Sequence, residues 1–142
     1  MMNTPKIGKK PIGDVKPRRI LIVDDEPDFR EMLNLMLYKE GFETAIAKNG
    51  EDLLNKIDDF QPDLITLDVM MPGLTTEEIL EKLTKKKCKP KIILLTVVRY
   101  SKEVLEEILK KESIVSYIKK PFDLDDFIDT VNEVLQTYKF KR

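Results

Sequence analysis

Five short, strand-like runs alternate with segments whose apolar residues recur at helical spacing, and this alternation constrains the fold most strongly. The runs lie at residues 19–23, 42–47, 63–68, 91–96 and 114–118. Short continuous apolar runs are typical of parallel strands that are buried on both faces, and residues 42–47 alternate as a strand nearer a sheet edge does. The sequence therefore predicts an α/β protein, a doubly wound (βα)5 fold with one five-stranded parallel sheet.

Local signals predict where the helices begin and end. Pro27 suits the first turn of a helix, and Gly41 suits the residue that follows a helix. Thr75 and Glu78 have the spacing of a capping box, in which each side chain bonds the backbone N–H of the other residue. The last helix is expected to begin near Asp123.

The length and the distribution of charge predict one domain with two basic arms. The 142 residues suffice for a single core. We assign residues 1–17 to a flexible basic arm, residues 18–138 to the domain and residues 139–142 to a basic tail. Residues 20–138 carry 16 basic and 25 acidic side chains. This negative body argues against a nucleic-acid-binding surface, which needs clustered Lys and Arg.

The composition excludes several kinds of chemistry. The chain has no histidine and one cysteine, Cys88. Histidine-dependent nucleophiles, histidine-ligated metals and internal disulfides are therefore excluded. No apolar run approaches the roughly 20 residues that cross a bilayer, and the N-terminus lacks the apolar region of a secretory signal. We expect a cytoplasmic protein that does not enter the membrane.

Polar residues follow the predicted strands, at the sheet edge where open α/β folds bind their ligands. They are Asp24 and Asp25 after the first strand, Asp68 at the third, Thr96 at the fourth, and Lys119 and Lys120 after the fifth. Crowded carboxylates repel one another unless a cation neutralises them. Oxygen ligands favour Mg²⁺, with Mn²⁺ as a substitute.

These residue types suit phosphoryl transfer to a carboxylate. In this interpretation Asp24 and Asp25 bind the metal and Asp68 is the nucleophile. Thr96 would donate a hydrogen bond to a phosphoryl oxygen, and Lys120 would supply a positive charge.

Four motifs resemble those of the CheY-like receiver domain of two-component response regulators. They are ILIVDDEP at residues 20–27, LDVMMPG at 67–73, LT at 95–96 and YIKKPF at 117–122. The resemblance covers about residues 18–138. It implies a flavodoxin-like sheet with the strand order 2-1-3-4-5.

The resemblance also implies roles for individual residues. Asp68 would accept a phosphoryl group from a histidine of a partner, either a sensor histidine kinase or a phosphotransfer protein. Mg²⁺ would be bound by Asp24, Asp25, Asp68 and the backbone carbonyl of Met70. Lys120 matches the family lysine because it precedes Pro121, and this Lys–Pro bond is often cis in the family.

Thr96 and Tyr117 match the hydroxyl and aromatic pair that shift together on phosphorylation in this family. That shift changes the face formed by the fourth helix, the fifth strand and the fifth helix, where a downstream target would bind. The resemblance also allows a phosphorylation-dependent dimer. Met70 and Val98, which flank the site, are apolar and cannot orient an attacking water, so we expect a long-lived phosphoryl group.

Three alternatives remain open. A phosphohydrolase of the haloacid dehalogenase type also forms an aspartyl phosphate, but it needs Asp-x-Asp where this chain has Asp68-Val69-Met70. A receiver-shaped binding module would never take phosphate. The chain could also be a receiver excised from a longer regulator with an output domain. In the favoured interpretation the chain is not an enzyme, because it catalyses only its own phosphorylation and dephosphorylation.

Overall fold

The computed structural model describes residues 16–137, which form five strands and five helices in strict alternation. The strands are β1 (Arg19–Val23), β2 (Glu43–Ala47), β3 (Leu64–Asp68), β4 (Lys91–Thr96) and β5 (Ile114–Lys119). The helices are α1 (Pro27–Lys39), α2 (Gly50–Phe60), α3 (Thr76–Leu83), α4 (Lys102–Leu109) and α5 (Leu124–Leu135). The tail at 139–142 and nearly all of the arm at 1–17 lie outside the described residues, so the domain boundaries stay a prediction.

The strands form one parallel sheet in the order β2-β1-β3-β4-β5. Val23 pairs with Leu67, Asp68 with Leu95, and Thr96 with Lys119. This register brings the carboxyl ends of β1, β3, β4 and β5 to one edge of the sheet. The predicted (βα)5 fold and its strand order are confirmed.

Two apolar layers cover the two faces of the sheet. On one face, Leu21, Ile65 and Leu94 pack against residues of α2 and α3 such as Leu53 and Ile79. The other face packs against α1 and α5, through buried side chains that include Ile22, Leu33, Ile93, Phe127 and Val131. Full burial of one such side chain contributes roughly 1.5–3 kcal/mol. The central strand β3 is buried along its whole length, so the position of Asp68 at its end is firmly anchored.

The helices begin and end where the local signals predict. Glu26 caps α1 with Pro27 at the first helical position, and Gly41 follows the helix with φ at 99°. Both hydrogen bonds of the predicted capping box between Thr75 and Glu78 are present, and Asp123 caps α5. Within residues 16–137, none of the helices combines the length and the apolar character that crossing a bilayer requires.

Helix α4 is the least anchored helix of the fold. It has no buried residue, whereas every other helix buries at least two. The pairing of β4 with β5 beneath it is irregular between Ile92 and Ile93. Val104 and Leu109 of α4 and Val115 of β5 are exposed apolar side chains. The face around α4 is thus held by weaker packing than the rest of the protein.

Candidate functional site

Three carboxylates meet at the carboxyl edge of the sheet. Asp24 and Asp25 follow β1, and Asp68 is the last residue of β3. One oxygen from each carboxylate lies within 4.8 Å of the others. Asp24 and Asp68 are only 1% and 6% exposed, whereas Asp25 is open to solvent. The structure therefore brings together the three carboxylates that the sequence singled out.

Lys120 supplies a positive charge to this cluster. Its Nζ lies 2.9 Å from Oδ2 of Asp24 and 3.8 Å from Oδ2 of Asp68. The backbone N–H of Lys120 donates to the carbonyl of Thr96 at 2.8 Å, which ties the residue to the end of β4. The peptide bond between Lys120 and Pro121 is cis. Lys120 thus contacts both buried carboxylates, and no contact of the Lys119 side chain with the cluster is observed.

Backbone hydrogen bonds orient the two buried carboxylates. Oδ1 of Asp24 accepts the N–H of Glu26 at 2.9 Å, and Oδ1 of Asp68 accepts the N–H of Met70 at 3.0 Å. The Arg30 guanidinium donates to the backbone carbonyl of Asp24 at 2.7 Å. In each carboxylate Oδ1 is therefore fixed by the chain, while Oδ2 faces Lys120.

The surroundings of Asp68 oppose its ionisation. Burial raises the pKa of Asp68 above its ordinary value, and the negative charges of Asp24 and Asp25 raise it further. The Met70 N–H and the Lys120 ammonium act in the opposite direction but do not outweigh the burial. A further positive charge at the cluster would favour the ionised, nucleophilic form of Asp68.

The donor set fits a hard divalent cation. All three side-chain ligands are carboxylates with oxygens close enough to share one ion, and two of them are buried. Mg²⁺ prefers one or two carboxylates together with water and phosphate oxygens. Met70 lies beside the cluster through its N–H bond to Asp68, and its side chain is 56% exposed at the rim.

Thr96 and Tyr117 are linked through the peptide units of Val98. The fully buried Thr96 accepts the N–H of Val98 on Oγ1 at 3.0 Å, and the Tyr117 hydroxyl donates to the Val98 carbonyl. The rings of Tyr117 and Tyr100 lie 5.6 Å apart. Both predicted switch residues therefore bond to the same short loop after β4.

Two residues of α1 belong to the site although the sequence analysis did not single them out. Arg30 holds the backbone of Asp24, and the Phe29 ring centroid lies 4.1 Å from Nζ of Lys120. Only their position in the chain could have indicated these roles, because the first turn of a helix that begins just after Asp24 and Asp25 must lie beside the two carboxylates. No residue motif marks either role.

A groove of about 800 Å³ lies at the opposite edge of the sheet. Leu80, Lys91 and Val115 line it, together with the free Cys88, whose thiol donates to the Pro62 carbonyl. Burial raises the pKa of the Cys88 thiol, as do the charges of Asp63 and Asp58, so the reactive thiolate is disfavoured. The Cys88 thiol is therefore not activated as a nucleophile in this groove.

Known proteins share this sequence pattern and fold. The family model of the response regulator receiver domain matches residues 20–132. Regulatory protein AtoC of Escherichia coli is 33% identical over 87% of this chain, which spans 26% of AtoC. Sporulation initiation phosphotransferase F of Bacillus subtilis is 33% identical over 82% of this chain and 93% of its own length.

Solved structures of one response regulator agree with this result. TrrA of Thermotoga maritima, in a complex with Mg²⁺ and BeF, is 38% identical with a TM-score of 0.69, covering 82% of this chain and 98% of TrrA. TrrA bound to histidine kinase ThkA matches at 37% identity with a TM-score of 0.69, covering 83% and 98%. The family model covers most of the described residues, and the fold and the strand-end motifs agree with it. The chain therefore belongs to the response regulator receiver domains of two-component systems.

Proposed function

We propose that Asp68 is the phosphoryl acceptor of this receiver domain. The observation that carries the proposal is the arrangement of three carboxylates within 4.8 Å of one another with Lys120 against the two buried ones. Asp68 is better suited than Asp24 to be the acceptor, because Lys120 holds Oδ2 of Asp24 at 2.9 Å but lies 3.8 Å from Oδ2 of Asp68, which is therefore less tightly paired. Oδ2 of Asp68 would attack phosphorus, and the bond from phosphorus to the donor would break as the new P–O bond forms.

The other site residues would support this transfer. Asp24, Asp25 and Asp68, with the backbone carbonyl of Met70, would hold Mg²⁺, or Mn²⁺ in its place. A bound Mg²⁺ would neutralise the carboxylates and the phosphoryl oxygens. Lys120 would move its ammonium from Asp24 towards the incoming phosphoryl oxygens. Thr96 would turn its hydroxyl towards them and release the Val98 N–H that it accepts at present.

This movement of Thr96 would alter the face around α4. The N–H of Val98 bonds to Thr96 and its carbonyl accepts from Tyr117, so a shift of one residue would disturb the contact of the other. Weak packing of α4 favours such a rearrangement. A downstream target, or a second copy in a phosphorylation-dependent dimer, would bind the face formed by α4, β5 and α5.

The proposed phosphodonor is a phosphohistidine of a sensor histidine kinase or a phosphotransfer protein. The complex of TrrA with histidine kinase ThkA supports this choice.

We place the protein in the cytoplasm as part of the same proposal, and the free thiol of Cys88 fits a reducing compartment. Whether the receiver acts alone or within a longer regulator, its catalysis would be confined to its own Asp68.

Intact-mass analysis tests the proposal. Incubation with acetyl phosphate and Mg²⁺ should add one phosphoryl group to the wild-type chain and release acetate. The matched variant Asp68→Asn should stay unmodified, and so should the wild type in the presence of a chelator. Modification of Asp68→Asn would assign the phosphoryl group to another residue, and an unmodified wild type would favour a receiver-shaped binding module.

A second assay separates the receiver from a phosphohydrolase. An enzyme of the haloacid dehalogenase type would release phosphate from p-nitrophenyl phosphate over many turnovers. A receiver should release no more than about one equivalent of p-nitrophenol per chain within the lifetime of its aspartyl phosphate, because the phosphoryl group stays on Asp68. Sustained turnover would therefore contradict the proposed function.

A further inference from the structure

The Lys120 ammonium rests on an aromatic ring as well as on carboxylates. Its Nζ lies 4.1 Å from the ring centroid of Phe29, within the range of a cation–π interaction. Phe29 is half-buried in the first turn of α1, where its N–H donates to Oε1 of Glu26 at 2.9 Å. The ring is thus carried by the capped end of a helix, which fixes its position beside the cluster.

Two further rings support Phe29 from the core. Phe122 meets Phe29 edge to face, with centroids 5.9 Å apart and planes at 73°. Phe122 also stacks on Phe127 at 5.2 Å, and Phe127 is 1% exposed. A row of three rings therefore connects the ammonium to the buried layer between the sheet and α5.

We propose that Phe29 is a positioning residue that holds the Lys120 ammonium between Asp24 and Asp68. The proposal rests on the proposed function of Asp68. A lysine side chain has a flexible four-carbon stem. Without the ring, the Asp24 carboxylate, 2.9 Å from Nζ, would keep the ammonium to itself. The ring face attracts the ammonium without carrying a charge, so it lets Nζ exchange Asp24 for a phosphoryl oxygen near Asp68 while the stem stays in place.

The proposal predicts which substitutions are tolerated at position 29. Phe29→Leu keeps an apolar side chain but removes the ring, so phosphorylation by acetyl phosphate at saturating Mg²⁺ should slow about fivefold. Phe29→Tyr keeps the ring and should stay within about twofold of the wild-type rate. Leu35→Ala is the matched control on α1, because Leu35 is 52% exposed and has no part in the site. A small-molecule donor keeps docking of a kinase on α1 out of the measurement.

A proton NMR signal reports the ring contact directly. The CH₂ protons next to Nζ of Lys120 lie near the face of Phe29, so the ring current should move their resonance upfield from those of the other lysines. That shift should vanish in Phe29→Leu and persist in Phe29→Tyr. A merely structural role of Phe29 would slow phosphorylation further when Phe29→Leu is added to Lys120→Met, whereas a role that acts through Lys120 adds no further slowing in that background.

The two measurements separate the outcomes. A lost shift together with a slower rate in Phe29→Leu, and neither in Phe29→Tyr, would support the proposal. A lost shift with an unchanged rate, or equal slowing in both variants, would overturn it. If the wild type takes no phosphoryl group while the upfield shift is present, the proposed function of Asp68 fails and the ring contact stands without a role in it.

Discussion

The ammonium nitrogen of Lys120 lies 0.9 Å closer to the Asp24 carboxylate than to that of Asp68, at 2.9 Å against 3.8 Å. Asp24 is the more deeply buried of the two, so this ion pair is shielded from solvent. Lys120 therefore forms an ion pair with a carboxylate that is also a ligand of the proposed Mg²⁺ site. Lys120 and a divalent cation should compete for Asp24.

Replacing Lys120 with Met should raise Mg²⁺ affinity, because it removes a positive charge from the cluster and frees Asp24. We expect an increase of roughly two- to tenfold, since the charge lies close but the site is partly open to water. The same variant should be phosphorylated more slowly. Calorimetric titration with Mg²⁺ measures the first effect, and intact mass over time measures the second.

Lys119→Met is the matched control for that experiment. It removes the same charge from the adjacent residue, whose backbone pairs with Thr96. Its Mg²⁺ affinity should change by less than about twofold, because long-range charge effects are screened by salt. Weaker Mg²⁺ binding in Lys120→Met would show that the lysine helps to build the metal site and does not compete with it.

Met70→Asn should accelerate loss of the phosphoryl group. Met70 lies at the rim of the site with its N–H bonded to Asp68, and its exposed thioether side chain offers an attacking water only a weak acceptor. An amide at this position could bond a water and direct it at phosphorus, which we expect to speed hydrolysis about tenfold. Decay of the added mass after removal of donor gives the rate.

Leu35→Asn introduces the same amide at an exposed apolar residue of α1 and should leave the rate of phosphoryl loss unchanged. An unchanged decay rate in Met70→Asn would contradict the assignment of Met70 as a limit on hydrolysis. The two variants together exclude a general effect of a new surface amide.

The alternation of strands and helices was predictable because each element carries its own local signal, whereas the strand order was implied by the resemblance to receiver domains. The mostly apolar run of β3 indicates a strand that is buried on both faces, as the structure shows. The spacing of Thr75 and Glu78 indicates the start of α3. The carboxylate cluster followed from topology, because the carboxyl ends of parallel strands meet at one edge. Neither inference needed side-chain geometry.

The roles of Phe29 and Arg30 were not predictable in the same way. Both contacts depend on the angle at which α1 leaves β1 and on the rotamers of two long side chains, and neither property has a residue pattern. The bond from Tyr117 to the Val98 carbonyl likewise depends on the path of the loop after β4. Contacts made across elements by irregular backbone are the part of the site that required coordinates.

Thr66→Val should leave stability unchanged or raise it by up to about 1 kcal/mol. Oγ1 of Thr66 is buried in β3 between Ile22 and Ile93 and has no hydrogen-bond partner among residues 16–137. A methyl group in its place removes an unsatisfied polar atom from an apolar layer. Urea unfolding monitored by circular dichroism measures the change.

Thr96→Val is the informative counterpart, because Thr96 is equally buried but accepts the Val98 N–H. This variant should lose about 1–3 kcal/mol, since it leaves a donor without its acceptor. A large destabilisation of Thr66→Val would instead reveal a partner for that hydroxyl, such as an ordered water.

Asp52 should stabilise the protein at neutral pH and cease to do so in acid. Burial opposes its ionisation, but its bond from the Lys48 N–H and the nearby Lys56 ammonium outweigh burial and lower the pKa of Asp52. A carboxylate whose folded pKa lies below its unfolded value contributes its stability fully above the unfolded value, about 3.9. That contribution disappears as the pH falls through the folded pKa.

Asp52→Asn should therefore cost about 0.5–1 kcal/mol at pH 7, a modest value because both partners are partly exposed. The difference from the wild type should shrink as the pH drops below about 4. Urea unfolding from pH 7 to pH 3.5 follows this change, with the exposed Asp59→Asn on the same helix as the control. A deficit that stayed constant over this range would show that the charge of Asp52 is not its source, and that the loss comes from the altered hydrogen bond to Lys48.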